Sequence, residues 1–239
     1  MNKITIRKVA VIGSGIMGSR IACHFANIGV KVLLLDICPK ELSKEEKKKG
    51  LNLKNKIVRN RIVTSSFLNT LKTKPKSFYL DENKKNISLG NIEDDINKIS
   101  EVDWVIEVVV EKLEIKKIVF EKIEKHRKKG TLITSNTSGI PVKQMIEERS
   151  PDFVENFCVT HFFNPPRYMK LLEIVPGEKT KKEIIDFLMY YGSLFLGKET
   201  VLCKDTPAFI ANRVGIYSIM SAMHIIDEMG LSVGEVDFL

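Results

Sequence analysis

Lys8-Val9-Ala10-Val11-Ile12 followed by Gly13-Ser14-Gly15-Ile16-Met17-Gly18 is a short apolar run that breaks into a glycine-spaced turn. From Ser19 to Asn27 apolar residues recur at helical spacing, so the segment reads as strand, tight turn and helix. Gly29 suits the end of that helix, and Val32 to Leu35 makes a second buried strand that terminates in Asp36. Each glycine of Gly13-x-Gly15-x-x-Gly18 has a separate duty. The first permits the tight turn, the second lets the backbone approach a pyrophosphate, and the third lets helix and strand pack closely. The helix start, through Ile16 and Met17, then offers unpaired N–H groups and the positive end of its dipole to the phosphates. Asp36 is placed to accept hydrogen bonds from ribose hydroxyls, and its charge repels a 2′-phosphate, which favours NAD over NADP.

Outward from this unit the pattern changes. Ser43 to about Leu80 is charged residues broken by apolar ones, with a capping box at Ser43 and Glu46, and reads as a helical excursion from the sheet. Pro75 and the polar stretch 81–86 interrupt it, and Ile92 to Asp95 leads back to the core. Trp104 to Glu107 is the next strand. Ile115, Ile118, Val119 and Ile123 share one face of a helix closed by Gly130, and Leu132 to Ser135 is another strand. Phe157 to Phe163 and Lys170 to Val175 read as strands joined by Asn164-Pro165-Pro166-Arg167, where two prolines exclude regular structure. Thr180 and Glu183 have the spacing of a capping box for a helix to about Leu196, and Val201 to Cys203 is the last strand. Asp205-Thr206-Pro207 starts a helix that continues to Met229. Ser232 with Glu235 opens a further helix whose apolar residues Val236, Phe238 and Leu239 have nothing to pack on, so the sequence is expected to stop where a second, helical domain begins. The expected architecture is α/β: a doubly wound Rossmann-type sheet with a helical excursion over residues 1–201. Residues 202–239 are then the start of an α-helical domain.

The chain has 239 residues, 44% hydrophobic and 28% charged, the balance of a folded protein rather than a disordered one. No apolar run of about 18 residues occurs and no cleavage site precedes Lys8, so neither membrane spanning nor secretion is expected and a cytoplasmic location is. Cys23, Cys38, Cys158 and Cys203 are scattered without a CxxC pair, which fits reduced thiols and predicts neither disulfide nor metal. Lys plus Arg total 38 against 30 acidic residues, and most of the excess lies between Lys40 and Lys85. A solvated surface is the first reading of that charge, and a face for a phosphorylated ligand the second. A basic nucleic-acid-binding protein is the rival from another class; no helix-turn-helix, zinc spacing or aromatic RNP-like stretch supports it. It predicts strongly salt-dependent binding that NAD does not displace.

Four further segments complete the picture: Ser135-Asn136-Thr137-Ser138, His161-Phe162-Phe163-Asn164-Pro165, Met169-Lys170-Leu171-Leu172-Glu173, and Lys204-Asp205-Thr206-Pro207-x-Phe209-Ile210-x-Asn212-Arg213. Together and in this order after a dinucleotide fingerprint, they resemble the 3-hydroxyacyl-CoA dehydrogenase family, from about Lys8 to the last residue. The wording is most similar to members fused to an enoyl-CoA hydratase part. The resemblance implies NAD-dependent oxidation of (3S)-3-hydroxyacyl-CoA to 3-oxoacyl-CoA in fatty acid β-oxidation. It implies an acyl-CoA substrate whose CoA part lies along the Lys-rich excursion, and a homodimer or a partner chain supplying the helical domain. A nucleotide-binding module inactive without such a partner is the alternative.

The chemistry agrees with the resemblance. Alcohol oxidation needs a group that removes the hydroxyl proton near neutral pH, and imidazole suits that task. His161, at a strand end before a proline loop, is the candidate base. Glu173 on the neighbouring strand would bind the far ring nitrogen, fix the tautomer and stabilise the imidazolium. Ser138, at the turn after a strand, would hydrogen-bond the substrate oxygen at C3. Asn212 shares a helical face with Ala208, Phe209 and Ile216, and the resemblance implies that it contacts substrate; Glu111 matches a family acid near the nicotinamide end. His24, His126 and His224 have no partner motif and read as structural or solvent-exposed, and Trp104 reads as core.

Overall fold

Val9 to Ile12 are wholly buried because strand β1 (Lys8–Ile12) is covered on both faces, which is why the run is apolar without alternation. The computed structural model describes residues 4–238, in which seven further strands follow: β2 (Lys31–Asp36), β3 (Ile87–Asn91), β4 (Trp104–Glu107), β5 (Leu132–Ser135), β6 (Phe157–Phe162), β7 (Leu171–Pro176) and β8 (Glu199–Leu202). They form one sheet in the order β3-β2-β1-β4-β5-β6-β7-β8. All neighbours are parallel except β6 and β7, whose proline loop returns the chain antiparallel. Val9, Val11, Trp104 and Ile106 face one apolar layer with Ile21 and Phe25 of the Ile16–Asn27 helix. Ala10, Ile12, Val105 and Ile133 face the other, where Phe120, Phe153 and Phe157 gather with ring centroids 5.3 to 5.8 Å apart. Trp104 is core, as the sequence suggests: its indole N–H donates to the Thr134 hydroxyl at 2.9 Å, and Phe25 meets its ring edge-on.

The first helix ends at Asn27 with Gly29 in a left-handed conformation, and the Ser43/Glu46 capping box is formed in both directions. The excursion holds helices Lys44–Lys48, Lys56–Arg59 and Arg61–Lys72. It returns through β3, a strand absent from the sequence reading; Ile87-Ser88-Leu89-Gly90-Asn91 is a short edge strand with too few apolar residues to announce itself.

Other boundaries differ for identifiable reasons. In the Leu113–His126 helix the inner face is Lys116, Val119, Phe120 and Ile123, while Ile115 and Ile118 are exposed. Lys116 turns inward to an acid, rotating the stripe by one position. Thr180 does not cap a helix: its hydroxyl donates to the Phe157 carbonyl at 2.7 Å, and the Lys182–Leu194 helix begins after Lys181 without a side-chain cap. The last strand runs Glu199–Leu202 rather than Val201 to Cys203. The long helix starts at Ala211, not at Pro207, because Ala208 and Phe209 take positive φ (63° and 47°), which turns the Phe209 side chain inward. From Ala211 to Glu228 no residue is buried. Ser232 and Glu235 form their capping box ahead of the Val233–Phe238 helix; Phe238 is 91% exposed, and Leu239 lies outside the described residues.

Candidate active site

β1 and β4 are adjacent while the chain between them passes through β2 and β3, so the switch point of this sheet lies at their carboxyl ends, where an open crevice is expected. The glycine turn occupies one side of it. A Cβ on Gly13, whose φ is +104°, would meet the Val108 carbonyl oxygen at 2.5 Å, and one on Gly18 would meet the Gly13 carbonyl oxygen at 1.8 Å. Those two glycines are demanded by packing. Gly15 is different, since no atom lies within 4 Å of its Cβ position. The helix that follows has no side-chain cap and no acid in its first turn, and Ile16 is exposed. Its free N–H groups therefore face space suited to an anion. Asp36 stands over the turn: one carboxylate oxygen accepts from the Ser14 N–H (2.6 Å) and hydroxyl (2.5 Å), the other from the Ile37 N–H (2.7 Å). The oxygen that accepts from Ile37 keeps acceptor capacity for a ribose hydroxyl. Gly13, Gly15, Ile16, Met17, Gly18 and Asp36 are thus brought to one place, and they fit a dinucleotide.

Along the same edge, the loops after β4 and β5 are tied by a buried network. Glu107 is fully buried; its oxygens accept from the Lys116 ammonium (2.8 and 3.0 Å), the Ser135 hydroxyl (2.5 Å) and the Val109 N–H (2.7 Å). Burial pushes its carboxyl above the ordinary value, against the opposing effect of Lys116. The ammonium reaches Glu111 at 3.2 Å, and Glu111 accepts from the Thr137 hydroxyl and, at 2.9 Å, the Ser138 N–H. Partial burial acts to raise Glu111, but Thr137, Lys116 and Ser138 together hold it below the usual carboxylate value. Nothing in the sequence singles out Lys116 from its many neighbours of the same type.

His161 and Glu173 are direct partners across the antiparallel β6–β7 pair. Nδ1 of His161 lies 2.7 Å from Glu173 Oε2, with the ring 5% exposed and Glu173 fully buried. The other carboxylate oxygen of Glu173 accepts from the Ile210 N–H (3.0 Å) and Ala211 N–H (2.8 Å) at the start of the long helix. An ionised carboxylate only accepts, so Nδ1 carries the proton and Nε2 of the neutral ring is the accepting nitrogen. Among the described residues Nε2 has no hydrogen-bond partner. The rings of Phe163 (4.5 Å) and Phe209 (5.8 Å) flank the imidazole. Burial and the nearby Glu173 push the Cys203 thiol up to about 11, which leaves it a neutral wall of the site.

Ser138, Glu111 and Asn212 line a single cavity of about 590 Å³ together with Ile140, Ala211 and Ile216. Asn212 shares its helical face with Gly215, Ile216 and Ile219; Ala208 and Phe209 precede the helix, Ala208 lining the same cavity and Phe209 being buried outside its lining. His161 is not among the residues that line this cavity; its ring lies 5.8 Å from that of Phe209. Asn136, unassigned in the sequence reading, accepts from the Phe162 N–H at 2.9 Å and so pins the end of β6 beside His161. His24 is buried on the Leu196 carbonyl and His224 is exposed, consistent with structural or solvent roles. A larger cavity, about 820 Å³, lies at the amino end of the sheet between Ile4–Ile6, Val30 and Phe187, away from these groups.

Residues 8–206 match the family model described as 3-hydroxyacyl-CoA dehydrogenase, NAD binding domain. Over 232 residues the chain is 51% identical to a probable 3-hydroxyacyl-CoA dehydrogenase of Bacillus subtilis (strain 168), covering 97% of this chain and 29% of that protein. It is 42% identical over 212 residues to a putative fatty acid oxidation complex trifunctional enzyme of Rickettsia felis, covering 89% of this chain and 28% of the relative. The chain therefore spans under a third of either curated relative. The crystal structure of 3-hydroxybutyryl-CoA dehydrogenase from Escherichia coli K12 superposes with a TM-score of 0.70 at 32% identity, over 94% of this chain and 43% of that one. The fold is Rossmann-like and the cofactor is NAD. By its family model, its relatives and the glycine turn that the model covers, this chain belongs to the 3-hydroxyacyl-CoA dehydrogenase family, of which it carries the NAD-binding domain.

Proposed function

We propose that the chain catalyses reversible NAD-dependent oxidation of (3S)-3-hydroxyacyl-CoA to 3-oxoacyl-CoA, as a step of fatty acid β-oxidation. The observation that carries this reading is the buried carboxylate of Glu173, which grips the imidazole of His161 with one oxygen and the start of the substrate-side helix with the other. Bound NAD supplies the hydride acceptor. Gly13 to Gly18 and the helix start would hold its pyrophosphate and Asp36 its adenosine ribose, and Glu111 would serve the nicotinamide end. His161 takes the hydroxyl proton at Nε2, while Glu173 keeps the proton on Nδ1 and stabilises the imidazolium that forms. Ser138 hydrogen-bonds the oxygen at C3, and Asn212, across the same cavity, contacts the acyl-CoA. The exposed lysines of the excursion, such as Lys47, Lys54 and Lys72, give the CoA phosphates a positive surface.

A second reading is favoured by one feature. Val214, Ile216, Tyr217, Ile219, Met220 and Met223 of the long helix are each more than half exposed, and a helix apolar on all sides is normally buried. In this reading residues 1–201 form the nucleotide domain, residues 202–239 begin the helical one, and turnover waits for a second copy or another chain to cover it. NADH absorbance with 3-hydroxybutyryl-CoA separates the two: steady production by this chain alone supports the first, and NAD binding without turnover the second.

Two glycine variants test the cofactor turn. Gly18→Ala is expected to cost about 1–3 kcal/mol of stability in urea unfolding, because its methyl meets a backbone oxygen that cannot move aside. Gly15→Ala, at an ordinary φ of −57°, is expected to leave stability within about 0.5 kcal/mol of the unaltered chain. Its NAD affinity is expected to fall about tenfold or more by calorimetry, since the methyl fills the pyrophosphate space. Asp36→Ala is expected to weaken NAD and to narrow the preference over NADP; equal heats for both nucleotides before and after substitution would remove Asp36 from the site.

A further inference from the structure

Lys198 is a buried ammonium with no acid to match it. It is 4% exposed, lies just before β8, and donates to the carbonyl oxygens of Pro166 and, at 2.8 Å, Met169. Among the described residues no carboxylate pairs with it. The charged groups around it are cations or potential cations: Arg167 and Lys170 from the β6–β7 loop, and His24 from the first helix, held neutral with its value brought down to about 4 by burial, Lys198 and Arg167. Glu199, the next residue, is exposed. Isolating an ammonium from water costs several kcal/mol, and methionine of similar length would fill the space without that cost, so what the charge adds is its grip on two carbonyls.

Those carbonyls belong to the turn in which the N–H groups of Tyr168 (2.9 Å) and Met169 (3.0 Å) both donate to Pro165. The turn is the middle of the loop that leaves β6 immediately after His161 and Phe162 and returns as β7 with Glu173. The ammonium also stands 5.9 Å from the Phe162 ring centroid, one residue from His161. Two other cations tie the same loop: Arg20 of the glycine-turn helix donates to the Asn164 amide oxygen, and Arg167 donates to the carbonyls of Lys76 (2.7 Å) and Phe78 (2.8 Å) at the end of the excursion.

The geometry points to Lys198 as a positioning residue for the His161–Glu173 pair, acting through the Pro165–Met169 turn whose carbonyls its buried ammonium gathers. The inference rests on the dehydrogenase reading for its kinetic consequence, but its structural consequence stands apart. Burial, helped by Lys170, brings the Lys198 value down to about 8 from an ordinary 10.5. Because the folded value lies below the unfolded one, the unfolded chain holds more protons between those limits, and this group's contribution to global stability rises with pH. The grip on the turn moves the other way, since deprotonation removes the charge-assisted part of both bonds. A purely structural lysine would not make active-site order fall while stability rises.

The test uses the full chain with 15N-labelled histidine and follows the His161 ring resonances from about pH 6 to about pH 10. The unaltered chain is expected to show an inflection at His161 near pH 8 that is absent in Lys198→Met. In steady-state assays Lys198→Met is expected to lose about 10- to 100-fold in kcat, the scale of a small misplacement of the base. Its KM for NAD is expected to stay within about twofold. A His161 profile without the inflection in the unaltered chain overturns the proposal even if Lys198→Met does not fold, and so does a Lys198→Met chain with unchanged profile and kcat. Absence of NADH formation by the unaltered chain counts against the dehydrogenase reading instead, and the resonance measurement still decides the role of Lys198.

Discussion

Replacing His161 by glutamine is expected to lower turnover of 3-hydroxyacyl-CoA by about 100- to 10,000-fold, the usual contribution of a positioned general base. Glutamine fills much of the same space between Phe163 and Phe209, and its amide can still donate to Glu173. It cannot take up a proton at neutral pH. The glycine turn and Asp36 sit on β1 and β2, three to four strands from β6, or about 14 Å or more at ordinary strand spacing. NAD affinity measured by calorimetry is therefore expected to remain that of the unaltered chain. A variant that keeps its turnover would remove the imidazole from the chemistry, and one that loses NAD binding as well would point to a collapsed fold rather than a lost base.

The largest effect on stability is expected at Lys116. In Lys116→Met the Glu107 carboxylate stays fully buried and keeps only the Ser135 hydroxyl and the Val109 N–H. Removing one partner of a buried pair costs about 3–5 kcal/mol, because the other charge is left uncompensated. Urea unfolding near neutral pH is expected to show a loss of that size. The pH dependence has a definite sign. Burial already places the folded value of Glu107 above its unfolded one, and loss of Lys116 raises it further. The folded variant then binds the extra proton, so its stability recovers as the pH falls towards the ordinary carboxylate range and is lost again as the pH rises. The double variant Glu107→Gln with Lys116→Met is expected to regain most of the loss at neutral pH. Failure of the second substitution to help would show that Lys116 acts through Glu111 rather than Glu107.

What could be read from the residues alone followed from how locally each feature is encoded. β1, β2, β4 and β5 are covered on both faces and announce themselves as continuous apolar runs. The glycine turn announces itself by its spacing, and part of what demands it is local, as the Gly18 methyl position against the Gly13 oxygen makes plain. His161 and Glu173 were legible because both lie in segments that resemble the family's motifs; that the β6–β7 return is antiparallel and makes them register partners is seen only in the structure. The rest depended on distant partners. The burial of Lys116 is decided by Glu107 on a separate strand, and that of Lys198 by two carbonyls in another loop; in sequence both resemble any surface lysine. Likewise, the pattern after Asp205 is helical throughout, and only the inward turn of Phe209 towards His161 moves the helix start to Ala211. That places two N–H groups on Glu173.

Glu173→Gln isolates the pair itself. The amide oxygen can still accept from Ile210 and Ala211, so the start of the long helix keeps its anchor, while the amide nitrogen cannot accept from Nδ1 and disfavours the tautomer that leaves Nε2 basic. Stopped-flow NADH formation by this variant, with NAD affinity and melting temperature measured on the same preparation, is expected to be slower by about 100-fold or more with both other quantities unchanged. Formation at the rate of the unaltered chain would contradict the assignment of His161 and Glu173 as base and orienting acid.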